Sequence, residues 1–192
     1  MGHSRIEKAN SRERILKAAA GQIRDAGLES VSVGALMRSV GLTHGGFYGH
    51  FASRSDLLAQ ALERALEEGE VAARAAADPS RPFDYAAGVR SYLSRRHRDS
   101  RASGCAIAAL ASDVARADEA SRRVMESHLD AFAAKVSAAT GGDEDKALFA
   151  VSAMIGALLV SRVITDSKRS DALLRTAREQ VTALGEGTGA QA

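Results

Sequence analysis

Apolar residues recur along this chain at helical spacing, and strict alternation nowhere lasts long enough to predict a strand. Ile15, Ala18, Ala19, Ile23 and Ala26 mark a helix over residues 11–26, with Arg12, Glu13, Lys17 and Arg24 elsewhere around its axis. Ser11 stands where a cap is wanted, and Gly27 where a left-handed stop is wanted. A short helix over 32–40 follows, with Ser32 as N-cap, Val33, Leu36, Met37 and Val40 as its apolar face and Gly41 as its stop. A still shorter helix begins at Thr43, which caps it, and ends near His50. Ser53 opens a long helix to about residue 76, and Asp56 completes an aspartate version of the capping box. Its stripe is Leu57, Leu58, Ala61, Leu62, Ala65 and Leu66.

Asp78-Pro79-Ser80-Arg81-Pro82 is the strongest break, because the residue before each proline disfavours helix. Helices are expected beyond it over 83–98, 104–115, 118–140, 143–165 and 168–184, and Met125, Leu129, Phe132, Ala133 and Val136 give the third of these its stripe. The Gly-rich tail 185–192 is expected to be disordered. The fold class is all-α.

Composition agrees with this reading. The chain has 192 residues, 45% of them apolar and only 4% aromatic, which provides for a core and disfavours an all-β fold. Its one cysteine, Cys105, leaves no disulfide framework and no multi-cysteine zinc or iron–sulfur site. The polar N-terminus is no secretory signal, and Ile6 stands where a myristoylation site wants Ser or Thr. The longest uncharged stretch, 147–161, falls short of the ~20 residues of a spanning helix, so a soluble, cytoplasmic protein without membrane contact is expected. Net charge is +2, divided as +3 over residues 1–60 (eight Lys/Arg against five Asp/Glu) and −1 over the rest. A basic head on a neutral body suits a nucleic-acid-binding module.

The succession of helix, glycine turn and short helix over 32–50 has the spacing of a helix-turn-helix. Phe47 and Phe51 anchor the second helix inward, which leaves His44, Gly45, Tyr48 and Gly46 facing out. Adjacent glycines cost a helix about 1 kcal/mol each, and they make sense where backbone must come very close to another surface. These residues also carry a resemblance. The run GLTHGGFYGHFASRSDLL, preceded by SRERILKAAAGQIRDAGLESVSVGALMRSV, resembles the DNA-binding domain of the tetracycline-repressor (TetR/AcrR) family of transcriptional regulators over residues 11–62.

The resemblance implies a head over 1–53 and a helical ligand-binding and dimerisation domain over 54–184, linked by the helix that opens the second. It implies that Thr43, His44, Gly45 and Gly46 face base edges and flanking phosphates, that Tyr48 and His50 bind phosphates, and that Arg54 is a cationic contact. His44 stays open between base reader, phosphate contact and bystander. Met37 and Val40 stand where small Ala is frequent, and Gly49 where a larger side chain is usual. The implied protein is a homodimer joined through about 143–184 on double-stranded DNA, a repressor released from a pseudo-palindromic operator by a small-molecule inducer. No cofactor, metal or enzymatic activity is implied.

Tyr92, Cys105, Met125, Leu129, Phe132, Phe149 and Met154 are candidate inducer contacts, chosen as large apolar or aromatic groups together with the cysteine. Cys105, at a helix start, leaves an alternative open: a repressor that senses oxidants or electrophiles through its thiol. The basic run 94–101 reads as a solvated helix end, a supplement to the DNA-binding head, or a partner for acidic groups of another helix. Gly141-Gly142-Asp143-Glu144 reads as a helix–helix turn, and Ser152/Gly156 and Ala153/Ala157 as small residues that admit a close helix.

Overall fold

The first two long helical stripes of the sequence meet face to face. The computed structural model describes residues 2–75, 84–100 and 104–186. Helix α1 (Gly2–Ala26) buries Ile15, Leu16, Ala19, Ala20 and Ile23. Against them, α3 (Arg54–Ala75) buries Leu57, Leu58, Ala61, Leu62, Ala65 and Leu66. Each buried Leu or Ile contributes about 1.5–3 kcal/mol, and the interleaved alanines let the two backbones approach. Between these helices lie a 3-10 turn (Leu28–Ser30), α2 (Val33–Ser39) and a 3-10 helix (His44–Gly49).

The body comprises α4 (Tyr85–Tyr92), α5 (Arg95–Asp99), α6 (Ala106–Val114), α7 (Glu119–Ala139), α8 (Glu144–Val163) and α9 (Ser167–Glu186). No strand occurs among the described residues. The apolar core of the head does not stop at the start of α3: Ile107, Leu110 and Val114 of α6 and Met125 of α7 belong to it. A second core joins Val89 and Leu93, Val136, Ala150, Val151 and Met154, and Leu174 and Val181. Leu129 and Ile155 pack against both. Asp84, Asp118 and Asp143 cap α4, α7 and α8, their carboxylates accepting the N–H groups of Ala87, Ser121 and Lys146. Gly141 and Gly142 thus form a plain turn ahead of the Asp143 cap.

Several boundaries differ from expectation. Helix α1 starts nine residues before Ser11, so Ser11 is no cap; the segment before it lacks an apolar stripe but is rich in Arg, Glu and Lys, which tolerate helix well. The helix expected over 83–98 breaks at Leu93, because Ser94 caps a new helix by accepting the N–H of His97 at 3.1 Å. The proline-rich break and all but the first two residues of the Gly-rich tail lie outside the described residues. Helix α8 has 20 residues rather than the fifteen of its uncharged stretch, and is long and apolar enough to cross a membrane by length and composition. One side of it packs instead into the second core.

The basic run after Ser94 is a clasp between helices. Arg98 and Arg95 both reach Asp171 of α9, at 2.8 and 2.7 Å. Arg162 of α8 donates to the carbonyls of Arg98 and His97. Of the three readings of this run, the solvated helix end and the DNA supplement give way to pairing with another helix; Arg101 lies outside the described residues.

A second clasp ties α3 to the body. His128 of α7 stands between two α3 carboxylates, with Nδ1 2.6 Å from Glu70 Oε1 and Nε2 3.1 Å from Glu63 Oε1. A neutral imidazole donates only one N–H, so both contacts are satisfied by the imidazolium. Burial pulls its pKa down, but the two carboxylates outweigh that and raise it above the ordinary histidine value. The clasp therefore stabilises fully below the unfolded-state pKa and fades as pH rises through the folded one. His128→Gln is expected to lower unfolding stability by about 1 kcal/mol near pH 5.5, a modest figure because both carboxylates are partly solvated. Paired denaturation curves should show that difference vanish near pH 9.

Candidate nucleic-acid interface

The turn between α2 and the 3-10 helix is closed by backbone alone. Gly41 lies in the left-handed region (φ 74°), its N–H meets the carbonyl of Arg38 at 3.0 Å, and that of Leu42 meets Met37 at 2.8 Å. This is the two-bond glycine stop that lets a helix end abruptly. Leu36 and Met37 on one side of the turn, and Phe47 and Phe51 on the other, are buried. The ring of Phe51 stacks on Phe47 at 5.6 Å.

Beyond the turn the chain winds as a six-residue 3-10 helix rather than the α-helix expected over 43–50. Three glycines in six residues explain the loss of regular helix. Thr43 precedes this segment without a side-chain capping bond, contrary to expectation. Thr43, His44, Gly45 and Gly46 are all exposed, and Tyr48 is 70% exposed. A Cβ built at Gly45 or Gly49 meets nothing within 4 Å, and one at Gly46 only ordinary contacts with Thr43 and Met37. Nothing inside the molecule therefore demands glycine at these positions.

His50 is part-buried at the end of this segment, with Nδ1 buried and unpaired. Burial first, and then the charges of Lys8 and Arg12, lower its pKa, so it is a neutral group in a positive field. Arg12 lies over the Phe51 ring at 5.3 Å and reaches Gln60. Arg54 departs from expectation. Its guanidinium turns back to the carbonyls of Val31 (3.2 Å) and Leu28 (3.3 Å) and to Glu29. Those acceptors lie 23 to 26 residues upstream, and they make Arg54 a brace for the loop ahead of α2.

Residues 15–61 match the sequence profile of bacterial regulatory proteins of the tetR family. The chain carries that family's signature in its head. Its head is thus the DNA-binding module of a transcriptional regulator. The likeness in fold extends over the body as well. The reduced form of NemR from Escherichia coli superposes with a TM-score of 0.73 at 19% identity, covering 91% of this chain and 96% of that one. A tetR-family regulator from Agrobacterium tumefaciens gives 0.71 at 21%, covering 90% and 98%. The multidrug-binding protein EbrR, in complex with proflavin, gives 0.63 at 24%, covering 91% and 99%. A search among curated protein sequences finds no match.

In the body, four of the seven candidate inducer contacts converge near the junction of the two cores. The hydroxyl of Tyr92 meets Cys105 Sγ at 3.2 Å, its ring lies 5.6 Å from that of Phe132, and Leu129 packs against both cores. Met125 and Met154 are buried core residues. Phe149 departs from expectation: it is 63% exposed on the outer side of α8 and lines no interior wall. Two cavities open elsewhere, one of about 210 Å³ lined by Arg98, Ser161, Arg162 and Ser170, the other of about 400 Å³ lined by Arg64, Glu68 and Val71. None of the seven candidates lines either of them.

His97, which the sequence did not single out, organises this junction. Its Nδ1 donates to the carbonyl of Tyr92 at 2.7 Å, and its Nε2 accepts the N–H of Cys105 at 3.0 Å. Burial, and then the charge of Arg162, lowers its pKa against the pull of the Tyr92 carbonyl, which suits a neutral ring with one nitrogen accepting. Burial drives the Tyr92 hydroxyl well above its ordinary value, so it stays a donor. Gly104 is needed for this approach, since a Cβ there would lie 2.5 Å from the Ser100 carbonyl oxygen. At the other end of α6, Asp113 accepts the N–H of Leu28 at 3.0 Å, so one nine-residue helix runs from this junction to the head.

The brace assigned to Arg54 has a direct consequence. Arg54→Ala is expected to destabilise the protein by about 1–3 kcal/mol, since part-buried carbonyls lose a charged donor. Chemical denaturation without DNA checks this, and an unchanged midpoint would return Arg54 to the role of a solvent-facing cation.

Proposed function

We propose that this protein is a homodimeric repressor whose two heads read a pseudo-palindromic operator in double-stranded DNA and leave it when a small molecule enters the body. The observation that carries the DNA part is the run Thr43, His44, Gly45, Gly46 and Tyr48, which stands clear of the protein on a braced turn with no internal reason for its glycines. In this reading the head spans 1–53 and the body 54–184, with α3 as the link. Thr43 and His44 meet base edges, Gly45 and Gly46 allow backbone approach, and Tyr48 and His50 bind phosphates. Arg54 acts indirectly, by holding the loop that carries α2.

The dimer reading is supported by α8. Leu148, Phe149, Leu159, Val160 and Val163 are all between 40% and 72% exposed, and with Ser152 and Gly156 they form one uncharged face. Exposed apolar area of this kind on one helix marks a protein contact. A two-fold axis beside α8 and α9 would set the recognition segments about one DNA turn apart, near 34–36 Å. Val163→Glu, at the most exposed of these positions, is expected to yield a folded monomer with unchanged helix content. Sedimentation velocity checks it, and a persisting dimer would move the axis elsewhere.

The inducer reading is supported by the junction of Tyr92, Cys105, Leu129 and Phe132, with α6 leading from it to the head. A neutral or apolar molecule that binds better when this junction is opened would shift the population toward a head spacing unfit for DNA. The neutral and apolar side chains of Tyr92, Cys105, Leu129 and Phe132 support that ligand class.

Selection of genomic fragments on the purified protein, at two salt concentrations, tests the function. A recovered inverted repeat, bound more weakly at high salt, is the expected result. Tyr48→Phe should weaken binding equally on that repeat and on unrelated DNA, while His44→Ala should change sequence preference. Recovery of no preferred sequence would overturn the operator reading.

A further inference from the structure

The first turns of α1 are a helical overhang. Residues 5–10 are all exposed, so no packing accounts for them. Arg5, Lys8 and Arg12 are spaced three and four apart and therefore share one face of the helix. That face is located by its last member, since Arg12 lies over the ring of Phe51, immediately after the recognition segment and His50. Two residues on, Arg14 donates to the carbonyl of Val40 at the end of α2, which fixes the same stretch of α1 beside the helix-turn-helix.

At 1.5 Å per residue, Lys8 stands about 6 Å beyond Arg12 along the axis, and Arg5 about 10 Å. Neither has a carboxylate partner among the described residues. The nearby acids are otherwise placed: Glu7 is on the opposite side of α1, and Glu13 is paired with Arg64 at 2.7 Å. The overhang thus carries two unneutralised cations in line with the edge of the recognition segment. Arg54 is engaged on the carbonyls of Val31 and Leu28 and on Glu29, and the overhang supplies two further cations at this edge.

We propose that Arg5 and Lys8 extend the DNA-contacting surface, each pairing with a phosphate of the backbone that flanks the groove occupied by the 3-10 helix. This inference rests on the DNA reading above and adds to it a second contact strip. The strip carries no sequence information, because phosphates are the same at every step; it fixes register and adds affinity. The charge of Lys8, with that of Arg12, acts on His50, which puts Lys8 within electrostatic reach of a residue expected to meet phosphate.

The test needs no operator. Binding of the full chain to a random-sequence duplex is measured by fluorescence anisotropy across a salt series, for the wild type, Lys8→Gln, Arg5→Gln and the control Arg123→Gln at an exposed position of α7. Removing one cation–phosphate pair reduces the slope of log K against log salt by about 0.9, so Lys8→Gln and Arg5→Gln should each lower it by about one and cut affinity about three- to tenfold near 0.1 M salt. Arg123→Gln should leave both unchanged. Wild-type binding with slopes identical in the two overhang variants overturns the proposal and leaves the DNA reading standing. Weaker binding at an unchanged slope overturns it as well, since the effect would then run through the shape of the head. No binding by the wild type at low salt overturns the DNA reading and the proposal together.

Discussion

Everything the head does depends on the packing of α1 against α3. Ile15, Ala19 and Ile23 meet Leu58, Ala61, Leu62 and Ala65 in a seam from which water is excluded, and α2 and the 3-10 helix are laid across that seam through Leu36, Met37, Phe47 and Phe51. The recognition segment has little else to hold it, since three glycines leave it weak as a helix. Its position is therefore inherited from the seam. Around the seam sits a ring of charge, in which Arg24 and Arg64 share Glu68 and Arg64 also takes Glu13. Burial alone would raise the Glu68 carboxyl, but the two guanidiniums outweigh it and hold its pKa below the ordinary range.

The head and the body are physically continuous. The core that begins on α1 ends on α6 and α7, and polar links reinforce it: Asp113 on the Leu28 N–H, and His128 between Glu63 and Glu70. A shift of α6 or α7 would thus be felt by α3 and by the loop before α2 without any flexible intermediary. Such coupling suits a regulator in which binding to the body must alter the spacing of two heads. The same continuity means that variants of the body will change the stability of the head, so DNA-binding losses need a folding control.

Much of the architecture was legible from spacing. The stripes on α1, α3 and α7 and the glycine stops after α1 and α2 could be placed because helical periodicity and left-handed glycine are local properties. The recognition segment was located by its motif, although its local winding was misjudged: propensity says that glycines weaken a helix without saying what replaces it. The bracing contacts of Arg54 could not be read from the sequence, because they depend on carbonyls that folding brings from more than twenty residues upstream. His97 and His128 were equally opaque. A lone histidine between helices gains meaning only from partners on other elements, and those of His128 lie 58 and 65 residues away.

Helix α8 shows the division most clearly. Its apolar residues lie all around the axis, so periodicity identifies a helix but cannot say which side is buried. Packing against α7 and α9 chose Ala150, Val151, Met154 and Leu158 for the interior and left Phe149 and Val163 outside. The sequence alone determined that this is an all-helical chain with a helix-turn-helix near its start, because both follow from short-range spacing and backbone preference. Tertiary structure decided which cations brace the fold and which remain available, which faces are spent on the core, and how the body grips the head. Those choices depend on where distant carbonyls, carboxylates and apolar faces come to lie, and no local pattern encodes that.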